Sequence, residues 1–149
     1  MDTSPQPVTD LPDVLALLTA CGLPVADIAA EAQPAFFGLR EGSRLVAVAG
    51  LEVHGPAGLL RSLAVVPRHR GAGLGRRLVA HAEARASDLG VRILYLLTTT
   101  AAGFFLRQGY RPADRDRAPE AIRATVQFSG LCPASAAFMA KALGTEGSP

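Results

Sequence analysis

Arg70-Gly71-Ala72-Gly73-Leu74-Gly75 carries the clearest chemistry in this chain of 149 residues. Three glycines in five positions let the main chain pass close to a ligand with no side chain in the way. An apolar run, Leu59-Leu60-Arg61-Ser62-Leu63-Ala64-Val65-Val66, leads into the loop and ends at Pro67, and a helical pattern begins at Leu74. A helix that starts there aims its unpaired N–H groups and the positive end of its dipole at the loop. Together these features make an anion site suited to phosphate. The expected ligand is a phosphorylated cofactor, held by main-chain groups of Arg70, Gly71, Ala72, Gly73, Leu74, Gly75 and Arg76. Arg70 and Arg76 would add positive charge, whereas Arg77 and Arg85 read as a solvated face.

Three kinds of phosphate loop compete for this pattern. A Walker loop needs Lys-Ser or Lys-Thr after its last glycine, and Arg76-Arg77 stands there instead. A dinucleotide fingerprint needs G-x-G-x-x-G followed about 20 residues later by an acidic residue. Position 76 is Arg, and Arg92-Ile93-Leu94-Tyr95 offers no acid. The third pattern fits. Arg70-x-x-Gly73-x-Gly75 after Leu63-Ala64-Val65-Val66-Pro67 resembles the acyl-CoA signature of the GNAT N-acetyltransferase superfamily. Ala101-x-x-Phe104-Phe105-x-x-x-Gly109-Tyr110 is similar to that family's later helix and strand, and Phe138–Leu143 to its closing strand.

The resemblance implies a GNAT α/β fold and acetyl-CoA as co-substrate, with no metal. It gives the pyrophosphate to the glycine loop, and the pantetheine and thioester carbonyl to main-chain groups of Leu63, Ala64 and Val65. A backbone N–H aimed at that carbonyl would also stabilise a developing oxyanion. The chain departs from the family at one chemical position. Many members carry a tyrosine in the short helix to protonate the leaving thiolate, and the corresponding positions are Phe104 and Phe105. Tyr110, Thr99 or water would have to serve, or the thiolate leaves unaided, as its low basicity permits.

An amine protonated at neutral pH cannot attack a thioester, so a base is needed. Glu52, in the middle of an apolar strand, is the candidate catalytic base, with His54 as a weaker alternative. Arg61 interrupts a strand expected to be central, and a buried arginine requires an anionic partner. That partner is either an internal carboxylate, Glu52 or Asp114, or an anionic group on the acceptor. The second reading makes Arg61 a substrate-binding residue. His69 and His81 read as exposed. Leu60-Arg61-Ser62-Leu63, Thr98-Thr99-Thr100 and Thr125–Ser135 resemble a small GNAT branch associated with arsenic-resistance genes. That branch implies an amino-acid-like acceptor, with arsenic- or phosphorus-containing antimetabolites among the candidates. Cys132 within it reads as a small buried hydrophobe, since one thiol alone makes a poor soft-metal site.

These residues need a frame. Thr9–Asp13 has the capping residues, early proline and acid of a helix start, and Leu11, Val14, Leu15, Leu17 and Leu18 carry the helix to Cys21 before Gly22. Pro24–Ala32 is a second, short helix. Ala35–Arg40 and Arg44–His54 are strands joined through Glu41-Gly42-Ser43, and a turn at Gly55–Gly58 leads into a strand over Leu59–Val66. Leu74–Leu89 is a helix stopped by Gly90. Val91–Leu97 reads as a strand covered on both faces. A helix over Ala101–Gln108, capped from the threonines, precedes a strand at Tyr110–Ala113. A helix over Pro119–Phe128 and a strand over Ala137–Leu143 complete the order, with Gly144–Pro149 as tail. The order predicts one α/β domain over 1–149: a mixed central sheet, antiparallel meander plus a parallel strand–helix–strand crossover, with helices on both faces.

Composition narrows the function. Hydrophobic residues at 49% against 19% charged make a globular chain. A net charge of +2 and the absence of Trp argue against a nucleic-acid partner. No apolar run reaches the roughly 20 residues that span a bilayer, and Met1–Pro5 does not begin a signal peptide, so no membrane association is expected. Cys21 and Cys132 lie far apart and read as free thiols of a cytoplasmic protein. The expected partners are a small-molecule amine and, because dimers are common in the family, a second copy of the chain. The other class of function open to the sequence is a non-catalytic acyl-CoA-binding sensor.

Overall fold

The structure, a computed structural model, describes residues 4–23, 35–125 and 136–143. Packing divides the chain into two compact units, residues 1–52 with 60–84 and residues 53–59 with 85–149.

The first unit holds β1 (Gln6–Pro7), α1 (Leu11–Ala20), β2 (Ala35–Glu41), most of β3 (Arg44–His54), the second half of β4 (Ala57–Val65) and most of α2 (Leu74–Asp88). Pro12 sits at the start of α1 as read from sequence, although the N-cap is Asp10, whose side chain makes no capping bond. Gly22 follows at φ +76°, where a left-handed residue ends the helix at little cost. β2 pairs antiparallel with β1 and with β3, Phe36 lying opposite Gly50, and Gly42 turns the hairpin at φ +63°. Val14, Leu18, Phe36, Val48 and Ala64 form one buried cluster. The next residue of β2, Phe37, meets His81 of α2 edge-on, with ring centroids 4.8 Å apart. Successive strand residues face opposite ways, so α1 covers one face and α2 the other, as the element order predicts.

Gly38 of β2 is a packing glycine. A Cβ there would lie 2.6 Å from Leu45 Cδ1, 2.8 Å from Val8 Cγ2 and 3.0 Å from the Ala47 carbonyl oxygen. Gly38→Ala is expected to destabilise the protein by about 1–3 kcal/mol through overpacking. Thermal melting checks this, and an unchanged melting temperature would mean that β1 moves aside freely.

The second unit begins with the parallel pairing of β4 and β5 (Ile93–Thr98), in which Ala57, Gly58 and Leu59 lie beside Ile93, Leu94 and Tyr95. α3 (Ala102–Arg107), β6 (Arg111–Pro112), α4 (Glu120–Arg123) and β7 (Ala137–Ala142) follow, and β7 is antiparallel to both β5 and β6. Leu59, Ala118, Ile122 and Phe138 form its buried cluster, with Tyr95 stacked on Phe138 at 5.4 Å and 6°. β4 is common to both units, and hydrogen bonding orders the strands β1-β2-β3-β4-β5-β7-β6. The mixed sheet is the one expected.

Several boundaries differ from the sequence reading. β4 starts at Ala57, because only Gly55 and Pro56 are needed for the turn. β5 is buried on one face only: Leu94 and Leu96 are covered, while Ile93 is exposed and Tyr95 and Leu97 are half-buried. An apolar run alone cannot distinguish these two cases. β1 and two short 3-10 turns, Pro67–His69 and Arg115–Arg117, carry no periodicity and were not legible. The expected helix over Pro24–Ala32, the end of the one from Pro119, Cys132 and the tail lie outside the described residues. No described helix is long and apolar enough to cross a membrane.

Candidate functional site

The glycine loop lies between the Pro67–His69 turn and α2. Gly71 and Gly73 sit at φ +88° and +82°, in the region that disfavours every side chain, and Gly71 and Ala72 are exposed. Gly75 does a different job. It stands inside the first turn of α2, so its contribution is the missing side chain rather than a left-handed backbone. No acid occupies that first turn, which leaves the helix dipole unopposed at its positive end. The main chain from Arg70 to Arg76 is therefore largely free of bulky side chains, with Gly71 and Ala72 open to solvent.

The two arginines divide the labour. Arg76 extends over the loop: its Nη2 is 3.6 Å from where a Gly73 Cβ would stand. Arg70 turns back instead, and its Nε donates to the Val65 carbonyl at 2.9 Å. This bond ties the loop to the end of β4. The exposed reading of His69 and His81 does not hold. His69 Nε2 is 3.4 Å from Glu41 Oε1 with the ring largely covered, and His81 is half-buried against Phe37. In β4, Ala64 belongs to the core, Leu63 and Val65 are half-buried, and the Cys21 thiol lies 3.9 Å from the Val65 carbonyl.

Glu52 and Arg61 are brought together. Arg61 Nη1 donates to Glu52 Oε2 at 2.8 Å, and Arg61 Nε donates to Ser62 Oγ at 3.1 Å. The Arg61 side chain is 1% exposed and that of Glu52 15%. Glu52 is thus the internal carboxylate that pairs with this buried arginine. Asp114 instead accepts from its own Asp116 N–H. Ser62 carries no sequence signal. Its φ of +58° is the one positive value among described residues other than glycine, and it lies within β4.

In the second unit, Thr98 Oγ1 accepts from the Ala101 N–H at 3.0 Å, but the N-cap of α3 is Ala101 itself and no side chain caps the helix, so the expected capping from the threonines is not what the structure shows. Phe104 and Phe105 stand edge to face, and Phe105 packs on Tyr110. Tyr110 is fully buried. A cavity of about 600 Å³ lies against His54, Ala57, Ile93, Tyr95 and Pro119. Burial pushes the Tyr95 phenol up from its ordinary value, which keeps it protonated. Neither feature is visible in the sequence, because the cavity is assembled from four separate segments.

Residues 32–112 match the family model described as an acetyltransferase (GNAT) domain. An amino-acid acetyltransferase of Pseudomonas syringae pv. tomato is 39% identical over 72 residues, which are 48% of this chain and 17% of that protein. The chain thus spans about a sixth of the length of this curated relative. Among solved structures, N-acetylglutamate synthase from Neisseria gonorrhoeae, complexed with coenzyme A and N-acetyl-glutamate, superposes with a TM-score of 0.79. It covers 97% of this chain and 36% of its own, at 22% identity. The ribosomal-protein-S18-alanine N-acetyltransferase from Escherichia coli gives 0.71 at 21% identity, over 97% and 96% of the two chains.

Proposed function

The chain belongs to the GNAT acetyltransferase family, and from that premise we propose that it moves the acetyl group of acetyl-CoA to the amine of a small, anionic, amino-acid-like molecule. The observation that carries the cofactor is the loop with Gly71 and Gly73 left-handed ahead of α2. Its main-chain groups and Arg76 would hold the pyrophosphate, and main-chain groups of Leu63, Ala64 and Val65 would meet the pantetheine and carbonyl. Acetyl-CoA supplies an activated thioester. The chain supplies Glu52 as the base that takes the acceptor's proton, directly or through water. Transfer is direct, within a ternary complex.

The amino-acid class is supported by the relative from Pseudomonas syringae, which is an amino-acid acetyltransferase, and by the N-acetyl-glutamate in the gonococcal structure. Leu60–Leu63 and Thr98–Thr100 extend the reading to the arsenic-associated branch. On that reading an arsenic- or phosphorus-containing glutamate analogue is detoxified by losing the charge on its amine. The sequence reading gives Arg61 to the acceptor's anionic group, whereas its bond to Glu52 favours a role through that carboxylate.

Thiol release from acetyl-CoA tests this against glutamate, its phosphinic and arsinic analogues, polyamines, aminoglycosides and a lysine peptide. Turnover confined to anionic amino acids is the expected result. Turnover with polyamines or the peptide alone would sink the acceptor class and keep the enzyme. Phe104 and Phe105 in place of a tyrosine favour a second reading, an acyl-CoA sensor without turnover, and acetyl-CoA binding with no thiol release from any amine would support it.

A further inference from the structure

Ser62 occupies a conformation that glycine adopts freely and that other L-residues adopt only under strain. A side chain retained there needs a compensating role, and its contacts supply one. Ser62 Oγ accepts from Arg61 Nε at 3.1 Å, and the same guanidinium donates to Glu52 Oε2 at 2.8 Å. The neighbouring strand is cut to fit. A Cβ on Gly50 would lie 3.2 Å from Arg61 Cγ and 3.0 Å from Phe36 Cε1, so β3 leaves space for the arginine stem to pass over it. The guanidinium is sealed at 1% exposure, while the Glu52 side chain keeps 15%. The carboxylate side chain is thus the more accessible member of the pair.

We propose that Ser62 and Arg61 are positioning residues, the strained serine holding the guanidinium and the guanidinium holding the Glu52 carboxylate in the orientation that takes the acceptor's proton. The inference rests on Glu52 being the base. The step it serves is a proton transfer: an acceptor N–H bond breaks, a carboxyl O–H bond forms, and an ammonium and a carboxylate become neutral amine and acid. A carboxylate free to rotate about its last bond would present the wrong oxygen for much of the time, and small misplacements of a reacting group cost large factors in rate. The anion-binding role for Arg61 requires an accessible cation, and this geometry does not provide one.

The test compares Ser62→Gly, Glu52→Gln and the double variant in the full chain. Ser62→Gly relieves the backbone and removes the hydroxymethyl group that carries the bond to Arg61. The expected result is a kcat lowered by about 10- to 100-fold, with KM for acetyl-CoA and melting temperature close to wild type. The double variant should be no slower than Glu52→Gln alone, because the serine acts through the carboxylate. Wild-type kcat in Ser62→Gly overturns the proposal, as does a double variant slowed by the same factor in both backgrounds, which marks a general structural effect. Wild-type kcat in Glu52→Gln removes the base reading itself, and the proposal with it.

Discussion

Gly73→Val is expected to raise KM for acetyl-CoA by about 100-fold and to lower the melting temperature no more than the same change at Gly90. The size follows from two terms. A β-branched residue at φ +82° is strained, so the loop relaxes away from the left-handed conformation. The main-chain N–H groups aimed at the pyrophosphate are then misdirected, and charge-assisted hydrogen bonds of this kind are each worth about 1.5–3 kcal/mol. Losing the equivalent of about 3 kcal/mol is about 100-fold in affinity. Crowding plays little part, since the nearest atom to the new Cβ is Arg76 Nη2 at 3.6 Å, the end of a flexible side chain. Gly90→Val is the control. Gly90 has φ +92° and open space around it, so the same strain arises at the other end of α2, far along the chain from the loop. It should cost stability and spare KM. Equal KM values for the Gly73 variant and wild type, by initial rates and by calorimetric titration with coenzyme A, would remove the loop from cofactor binding.

Arg61→Met is expected to destabilise the protein by about 3 kcal/mol and to lower its melting temperature by roughly 6–12 °C. Methionine matches the arginine stem and leaves little void, so the loss is electrostatic. The Glu52 carboxylate, 15% exposed, would lose the guanidinium bond at 2.8 Å that offsets its desolvation. Breaking a buried pair from one side costs about 3–5 kcal/mol, and the partial exposure of Glu52 places the effect at the lower end. Adding Glu52→Leu should restore most of the stability, because a pair replaced by apolar residues of similar size is often neutral or better. Chemical denaturation of the single and double variants checks both halves. A single variant as stable as wild type would mean that the pair contributes only orientation.

Catalysis and stability are therefore expected to separate at neighbouring residues. Ser62→Gly acts on rate, whereas Arg61→Met acts on stability as well. The difference comes from what each change removes: without the serine hydroxyl Arg61 keeps its bond to the carboxylate, and without the guanidinium the half-buried Glu52 loses that bond.

Much of this protein is written locally. The glycine spacing at 71, 73 and 75, the apolar strand before it and the helical period after it are properties of consecutive residues. They determine the loop and α2 without reference to the rest of the chain, and the proposed anion site rests on them. The β2–β3 hairpin is local in the same sense, since turn chemistry acts over a few residues. Tertiary structure alone decided what partners each buried charge and which strand faces are covered. Arg61 was legible as an arginine in need of an anion. Its pairing with Glu52 depends on the backbone at Ser62 and on the space left by Gly50, and neither is a matter of sequence spacing. The half-open face of β5 and the cavity at Tyr95 likewise depend on which elements pack there. An apolar run reports what can be buried, and only the neighbours in space settle what is.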